Sequence, residues 1–122
     1  MKETIRALDY VKLKSTKMQG IMIAVLIRRS LVTRVRDVET TYIKTGFSGM
    51  WGNKGAVAVR LTLNGCNLCF VTAHLAAHDH ELDRRIQDYK DIRDGLEFKH
   101  LRSPRILDHE SVTACYFLFS RR

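Results

Sequence analysis

The sequence predicts an α/β fold, part of an α/β sandwich whose sheet is incomplete. Three observations predict it. "GAVAVRLTLNG" alternates Val57, Val59, Leu61 and Leu63 against Ala56, Ala58, Arg60 and Thr62, and "CNLCFVTAH" returns across Asn64-Gly65. "MQGIMIAVLIRR" is a near-continuous run rich in Ile and Val, the pattern of a strand covered on both faces. "DHELDRRIQDYKDIRDGLEF" spaces Leu82, Ile86, Tyr89, Ile92 and Leu96 by three and four, which is the period of an amphipathic helix. Strands gathered before one long helix put the chain in this class.

In chain order, "ETIRALDYVKLK" sets Ile5, Leu8 and Val11 three apart, so a short amphipathic helix starting near Glu3 or Thr4 is expected. The Ile/Val strand follows and leaves at Arg28 and Arg29. "VRDVETTYIKTG" is a second β-rich run, closed by Gly46. Asn-Gly between two alternating runs is the strongest short hairpin signal, because both residues accept the positive φ of a tight turn. Asp79 is the expected N-cap of the long helix, and Gly95 stands near its end. "KHLRSPRILDHE" reads as loop around Pro104, and "SVTACYFLFSRR" is apolar enough for an edge strand.

A chain of 122 residues is enough for one domain with a core. Its net charge of +8 points to an anionic partner, whether nucleic acid, an acidic membrane face or a phosphorylated small molecule. No apolar h-region is visible at the start, and "IMIAVLI" is far shorter than the roughly 20 residues of a membrane span. Cys66 and Cys69 have C-x-x-C spacing but lie in a strand, where they point to opposite faces. They read as buried, reduced thiols rather than as a zinc or redox site, which fits a reducing, cytosolic compartment. His80, His100 and His109 read as surface residues.

"GFSGMWGNKG" sets Phe47, Met50 and Trp51 among four glycines beside Asn53 and Lys54. Together with "GNKGAVAVR", the later "TAHLAAH" and "DRRIQDY" stand in order and at the right separation. On these motifs the stretch from about Gly20 to about Asp108 resembles the inositol polyphosphate 5-phosphatases, the group that includes synaptojanin and the Lowe-syndrome phosphatase. The resemblance implies the four-layer α/β sandwich of the DNase-I-like endonuclease/exonuclease/phosphatase fold. It implies Mg²⁺-dependent removal of the 5-phosphate from phosphoinositides or inositol polyphosphates. Residues 1–110 then correspond to the central part of such a catalytic domain, and 111–122 form a divergent tail.

By the same resemblance, His74 is the catalytic histidine at the scissile phosphate, a proton donor or transition-state stabiliser. Asn53 and Lys54 contact a headgroup phosphate, with His78 a further, less secure substrate contact. Phe47, Met50 and Trp51 form a membrane-facing finger, Trp51 suiting an interface through its amphipathic ring. The expected partners are phosphoinositide headgroups and an anionic membrane, with a cytoplasmic, peripheral-membrane location. No nucleic acid is expected, because nucleases of this fold do not carry "GNKGAVAVR" in this form. Ile86 stands where the family usually has Asn. The family's metal-binding Asn and Glu, its W-x-G-D-x-N-x-R motif and its final Asp-His pair have no match, so no metal ligand is assigned and the chain is expected to be inactive alone. The alternative is a non-catalytic basic module that binds phosphoinositide membranes.

Overall fold

A computed structural model describes residues 8–46, 49–99 and 102–117, the last three by backbone alone. Among the described residues there are six strands and one α-helix: β1 Tyr10–Met18, β2 Ile21–Arg28, β3 Val35–Gly46, β4 Trp51–Leu63, β5 Cys66–His74, α1 Leu82–Gly95 and β6 Ser111–Phe117. β1 and β2 form an antiparallel hairpin, and β3-β4-β5-β6 form a four-stranded sheet with β6 parallel to β5. A parallel neighbour requires a crossover, and α1 supplies it.

β4 shapes the core because it is buried on both faces, not half-buried as its alternation suggests. Ala56 and Ala58, with Ala73, Val71 and Cys69 of β5, pack against Ile92 of α1, against Leu96 just past its end, and against Phe98 and Ile106. The small alanines let the helix approach closely. On the opposite face Leu61, Leu63, Leu68 and Phe70 pack against Val11, Leu13, Val25 and Ile27 of the hairpin. The described residues thus stack hairpin on sheet on helix. Asn64 and Gly65 have φ of 51° and 86° and join Leu63 directly to Cys66, the two-residue turn that the dipeptide predicts.

Other expectations are corrected. Residues 1–7 of the predicted first helix lie outside the described residues, but its last part is β1. Val11 and Leu13, two apart, face the core, while Leu8 is exposed. The period of two prevails because Val11 and Leu13 complete the pocket opened by Val25 and Ile27. β2 is covered on one face only: Ile21 and Ile27 are buried, while Met22 is 67% exposed. Helix α1 starts at Leu82 after a 3-10 turn over Asp79–Glu81, so Glu81 and not Asp79 holds the N-cap position. Its buried residues are Asp88 and Ile92, one turn apart, and Leu82, Ile86 and Tyr89 stay exposed.

Cys66 is exposed where a buried thiol was expected; it stands at the first residue of β5, directly after the Asn64-Gly65 turn. Cys69 is buried, and its burial pushes the thiol pKa up to about 12 against the opposing effect of Arg60. His109 is also buried rather than superficial. It is held by the fully buried Arg60, whose Nε donates to His109 Nε2 at 3.1 Å. The same guanidinium donates to the Asp37 carbonyl at 2.9 Å and to Asn67 Oδ1 at 3.1 Å. His109 Nδ1 lies 2.9 Å from the Arg105 carbonyl, so the proton sits on Nδ1 and Nε2 is left to accept. "SVTACYF" forms the expected edge strand.

Candidate functional site

The antiparallel register of β4 and β5 opposes Gly55 to His74, at the end of the pair remote from the Asn64-Gly65 turn. Lys54 precedes Gly55, and its Nζ comes within 2.7 Å of His74 Nε2. An ammonium has no lone pair, so Nε2 accepts and His74 is the neutral partner. The ring also hydrogen-bonds the Asn53 backbone. Burial, then the charge on Lys54, lowers the His74 pKa, and the Asn53 bond works against them. Burial lowers the Lys54 pKa as well, opposed by the nearby Asp88 carboxylate. Two nitrogen groups whose charged forms burial disfavours, half-buried at a strand end, are poised for an anion. A bound phosphate would favour the charged form of both and take hydrogen bonds from both.

Glycines make this approach possible. A Cβ at Gly55 would run into the Ile43 carbonyl of β3, and its φ of 138° is one that side-chain-bearing residues rarely adopt. A Cβ at Gly46 would collide with Asn53 Oδ1. The Asn53 side chain is therefore seated over a bare backbone, exposed and next to Lys54.

The segment after His74 is fixed by α1. Asp88 is buried, and its Oδ2 accepts the Ala76 amide at 2.9 Å while Oδ1 pairs with Arg84 at 3.4 Å. Arg85 donates to the carbonyls of Ala76 and His78, at 3.4 and 2.5 Å. Both arginines of "DRRIQDY" thus work inside the domain, and Asp88 is the anchor that sequence reasoning assigned no role. The signal was present: Asp88 lies one helical turn from both Arg84 and Ile92, on the buried stripe.

Of the residues singled out, Asn53, Lys54 and His74 come together. His78 has a φ of 75°, is exposed and stacks its ring on His80 at 5.6 Å, and its known contact with α1 is through its carbonyl. Met50 and Trp51 are 66% and 62% exposed at the entry to β4. Phe47 lies outside the described residues. Among the described residues no three His, Cys, Asp or Glu side chains converge as metal ligands. Asp88 already spends both oxygens on Arg84 and Ala76. These residues do not fit a Mg²⁺ site, which needs several free oxygen ligands in octahedral array.

A model of endonuclease/exonuclease/phosphatase family 2 matches residues 1–117. Inositol-1,4,5-trisphosphate 5-phosphatase 1 of Schizosaccharomyces pombe is 41% identical over 103 residues, which is 84% of this chain and 9% of that protein. Human phosphatidylinositol 4,5-bisphosphate 5-phosphatase A is 36% identical over 104 residues, 85% of this chain and 10% of that protein. The chain therefore spans about a tenth of the length of these curated relatives. The solved inositol polyphosphate 5-phosphatase domain of SPsynaptojanin, in complex with inositol (1,4)-bisphosphate and calcium ion, matches with a TM-score of 0.79 at 37% identity, over 88% of this chain and 30% of that one. By the match of the family model over nearly the whole chain, and by the likeness to that solved domain, the chain belongs to endonuclease/exonuclease/phosphatase family 2 and is similar to part of its inositol polyphosphate 5-phosphatase domains.

Proposed function

We propose that this chain is the headgroup-receiving part of a phosphatase that removes the 5-phosphate from phosphoinositides or inositol polyphosphates. The observation that carries the reading is the 2.7 Å approach of Lys54 Nζ to His74 Nε2, with Asn53 alongside. A phosphate entering there meets a compact cation and an imidazole able to take a proton and then donate it. Hydrolysis is proposed for a chain that also carries Mg²⁺ ligands. Taken alone, this chain binds the headgroup and does not cleave it, since Asp88, the buried carboxylate near the site among the described residues, is already paired.

The test is a titration of the 122-residue chain with inositol (1,4)-bisphosphate, followed by the His74 ring resonances, beside a phosphate-release assay with Mg²⁺ and a short-chain bisphosphorylated lipid. Saturable binding that Lys54→Ala weakens at least tenfold is expected, with release at the buffer baseline. Binding unaffected by Lys54→Ala sinks the headgroup site. A Mg²⁺-dependent release that His74→Ala abolishes sinks the claim of inactivity.

A second reading, a non-catalytic module on anionic membranes at the cytoplasmic face, is favoured by one observation. Met50 and Trp51 present large apolar surface within a few residues of Lys54 on a chain of net charge +8. The two readings share the loop and separate on whether soluble headgroup alone binds.

A further inference from the structure

The headgroup site is assembled where the regular pairing of the sheet gives out. His74 is the last residue of β5, and Asn53 and Lys54 belong to the first part of β4. Asn53 and Lys54 lie just past the last β4–β5 pair, Gly55 with His74. On their other side they fall within the irregularity that interrupts β3–β4 pairing between Lys44 and Gly46. The Asn53 side chain is seated over Gly46, the last residue of β3. Three strand ends therefore have to be held in place by something other than the ladder.

Asp88 reaches all three. Its Oδ2 accepts the Ala76 amide at 2.9 Å, just beyond His74 in the chain. Its Oδ1 pairs with Arg84 Nε at 3.4 Å, and Arg84 Nη2 donates to the Thr45 carbonyl at 3.1 Å, next to Gly46. One carboxylate thus ties the His74 end of β5 directly, and through one guanidinium it ties the β3 end that seats Asn53. Its charge also favours the ammonium of Lys54. Asp88 is 1% exposed and stands on the buried stripe of α1, one turn from Ile92. Burying a carboxylate costs hydration that an apolar side chain does not lose, and replacing a buried ion pair by apolar residues is often neutral or stabilising. Stability alone is thus a poor reason for an aspartate here, and its three connections supply a better one.

We propose that Asp88 is a positioning residue of the headgroup site, holding His74 and Asn53 at a fixed separation through Ala76 and Arg84. It acts through these neighbours and not on the ligand. Arg84 is the coupling element, because a planar guanidinium can bond a carboxylate with one nitrogen and a carbonyl with another. A phosphate then meets Asn53, Lys54 and His74 already set apart by the right distance, and binding does not have to order them. The inference rests on the headgroup reading of Lys54 and His74 and adds how that site is kept in shape.

The experiment titrates the 122-residue chain with inositol (1,4)-bisphosphate and records amide-resolved NMR spectra of the ligand-free and bound states. Asp88→Asn and Arg84→Lys are compared with Ile92→Val, a trim of the core on the same helix. On charge alone Asp88→Asn should tighten anion binding, since it removes a nearby negative charge. Positioning gives the opposite sign: binding weakened roughly tenfold, the scale of one charge-assisted hydrogen bond. Arg84→Lys keeps the charge but loses the planar reach from Asp88 to Thr45, so it should weaken binding as well. Both variants should displace the ligand-free signals of Asn53 and His74. Ile92→Val should lower the melting temperature and leave the affinity unchanged. Asp88→Asn that binds as tightly as the parent, or more tightly, overturns the proposal, as does a loss of affinity that Ile92→Val shares. If Asp88→Asn does not fold, Arg84→Lys decides, and parent affinity in that variant overturns the proposal. If the parent chain does not bind the bisphosphate, the headgroup reading fails and the ligand-free signals alone decide the positioning. Displacement at Asn53 and His74 then sustains it, and native positions overturn it.

Discussion

Lys54 and His74 hold each other in a state that pH should reveal. Burial and the Lys54 charge both disfavour the imidazolium, so the folded chain takes up that proton less readily than the unfolded chain does. The stability tied to His74 is therefore complete above its ordinary value of 6.5 and declines as pH falls from there toward the lowered folded value. Titration of the His74 ring by NMR should give a midpoint below 6.5, and Lys54→Ala should raise it. A midpoint at or above that value would contradict the geometry. Saturating inositol bisphosphate should also raise it, because an anion favours both charged forms. Arg60 makes the opposite case, a charge wholly buried and wholly bonded, to His109, Asp37 and Asn67. One ammonium cannot reach partners arranged around a planar fork. Arg60→Lys should cost on the order of 3 kcal/mol in urea unfolding, the scale of losing charge-assisted bonds in a buried place, and a loss below about 1 kcal/mol would show the network to be slack. His74 and Lys54 were legible because their motifs name them. His109 was not, since nothing in "RILDHE" tells that Arg60 waits 49 positions earlier to receive it.

At the scale of elements, legibility followed how local each cause is. The Asn64-Gly65 turn depends on the φ of two adjacent residues, and it was read to the residue. β1 was not, because its pattern is set by contact with β2: a period of three through Ile5, Leu8 and Val11 competes with a period of two through Val11 and Leu13, and only the partner strand decides. The α1 stripe shows the same thing. Its apolar residues suggest burial of Ile86 and Tyr89, yet the turn that faces the sheet carries Asp88 and Ile92, because Asp88 is needed to hold Ala76. Close backbone approach between strands is likewise non-local. At Gly55, β4 lies against the Ile43 carbonyl with a φ of 138°. Gly55→Ala should therefore cost at least about 2 kcal/mol from strain and displaced backbone together. It should also part the amide shifts of Lys54 and His74 from their native values. An alanine variant as stable as the parent would mean that β3 and β4 can separate here without loss.

Across the whole molecule, the same architecture that buries β4 on both faces leaves its first residue, Trp51, and the preceding Met50 exposed. The hairpin and α1 cover the middle of the sheet, and the end of the hairpin reaches Gly52 through Met18 and Gln19, while Met50 and Trp51 just before it remain exposed. Met50 and Trp51 stand out there, with Lys54 at their base and a net charge of +8 behind them. The composition announced the charge and the glycines announced the turn, but only the structure shows how far Met50 and Trp51 stay exposed. Two forces then act on one approach to an anionic membrane, and they differ in how salt affects them. Attraction through Lys54 is worth on the order of 1 kcal/mol and is screened within about 8 Å at physiological ionic strength. Burial of the indole is apolar and keeps its strength as salt is raised. In liposome co-sedimentation Lys54→Ala should lose affinity at low salt and on anionic vesicles only. Trp51→Ala should lose about 1.5 kcal/mol, roughly tenfold, at every ionic strength. Trp51 is the chain's one tryptophan, so its fluorescence reports the event directly. Emission should begin red-shifted, in keeping with 62% exposure, and move to the blue as anionic vesicles are added. Emission that is already blue and quencher-protected in buffer, and that vesicles leave unchanged, would place the indole against protein and remove the tip from the membrane.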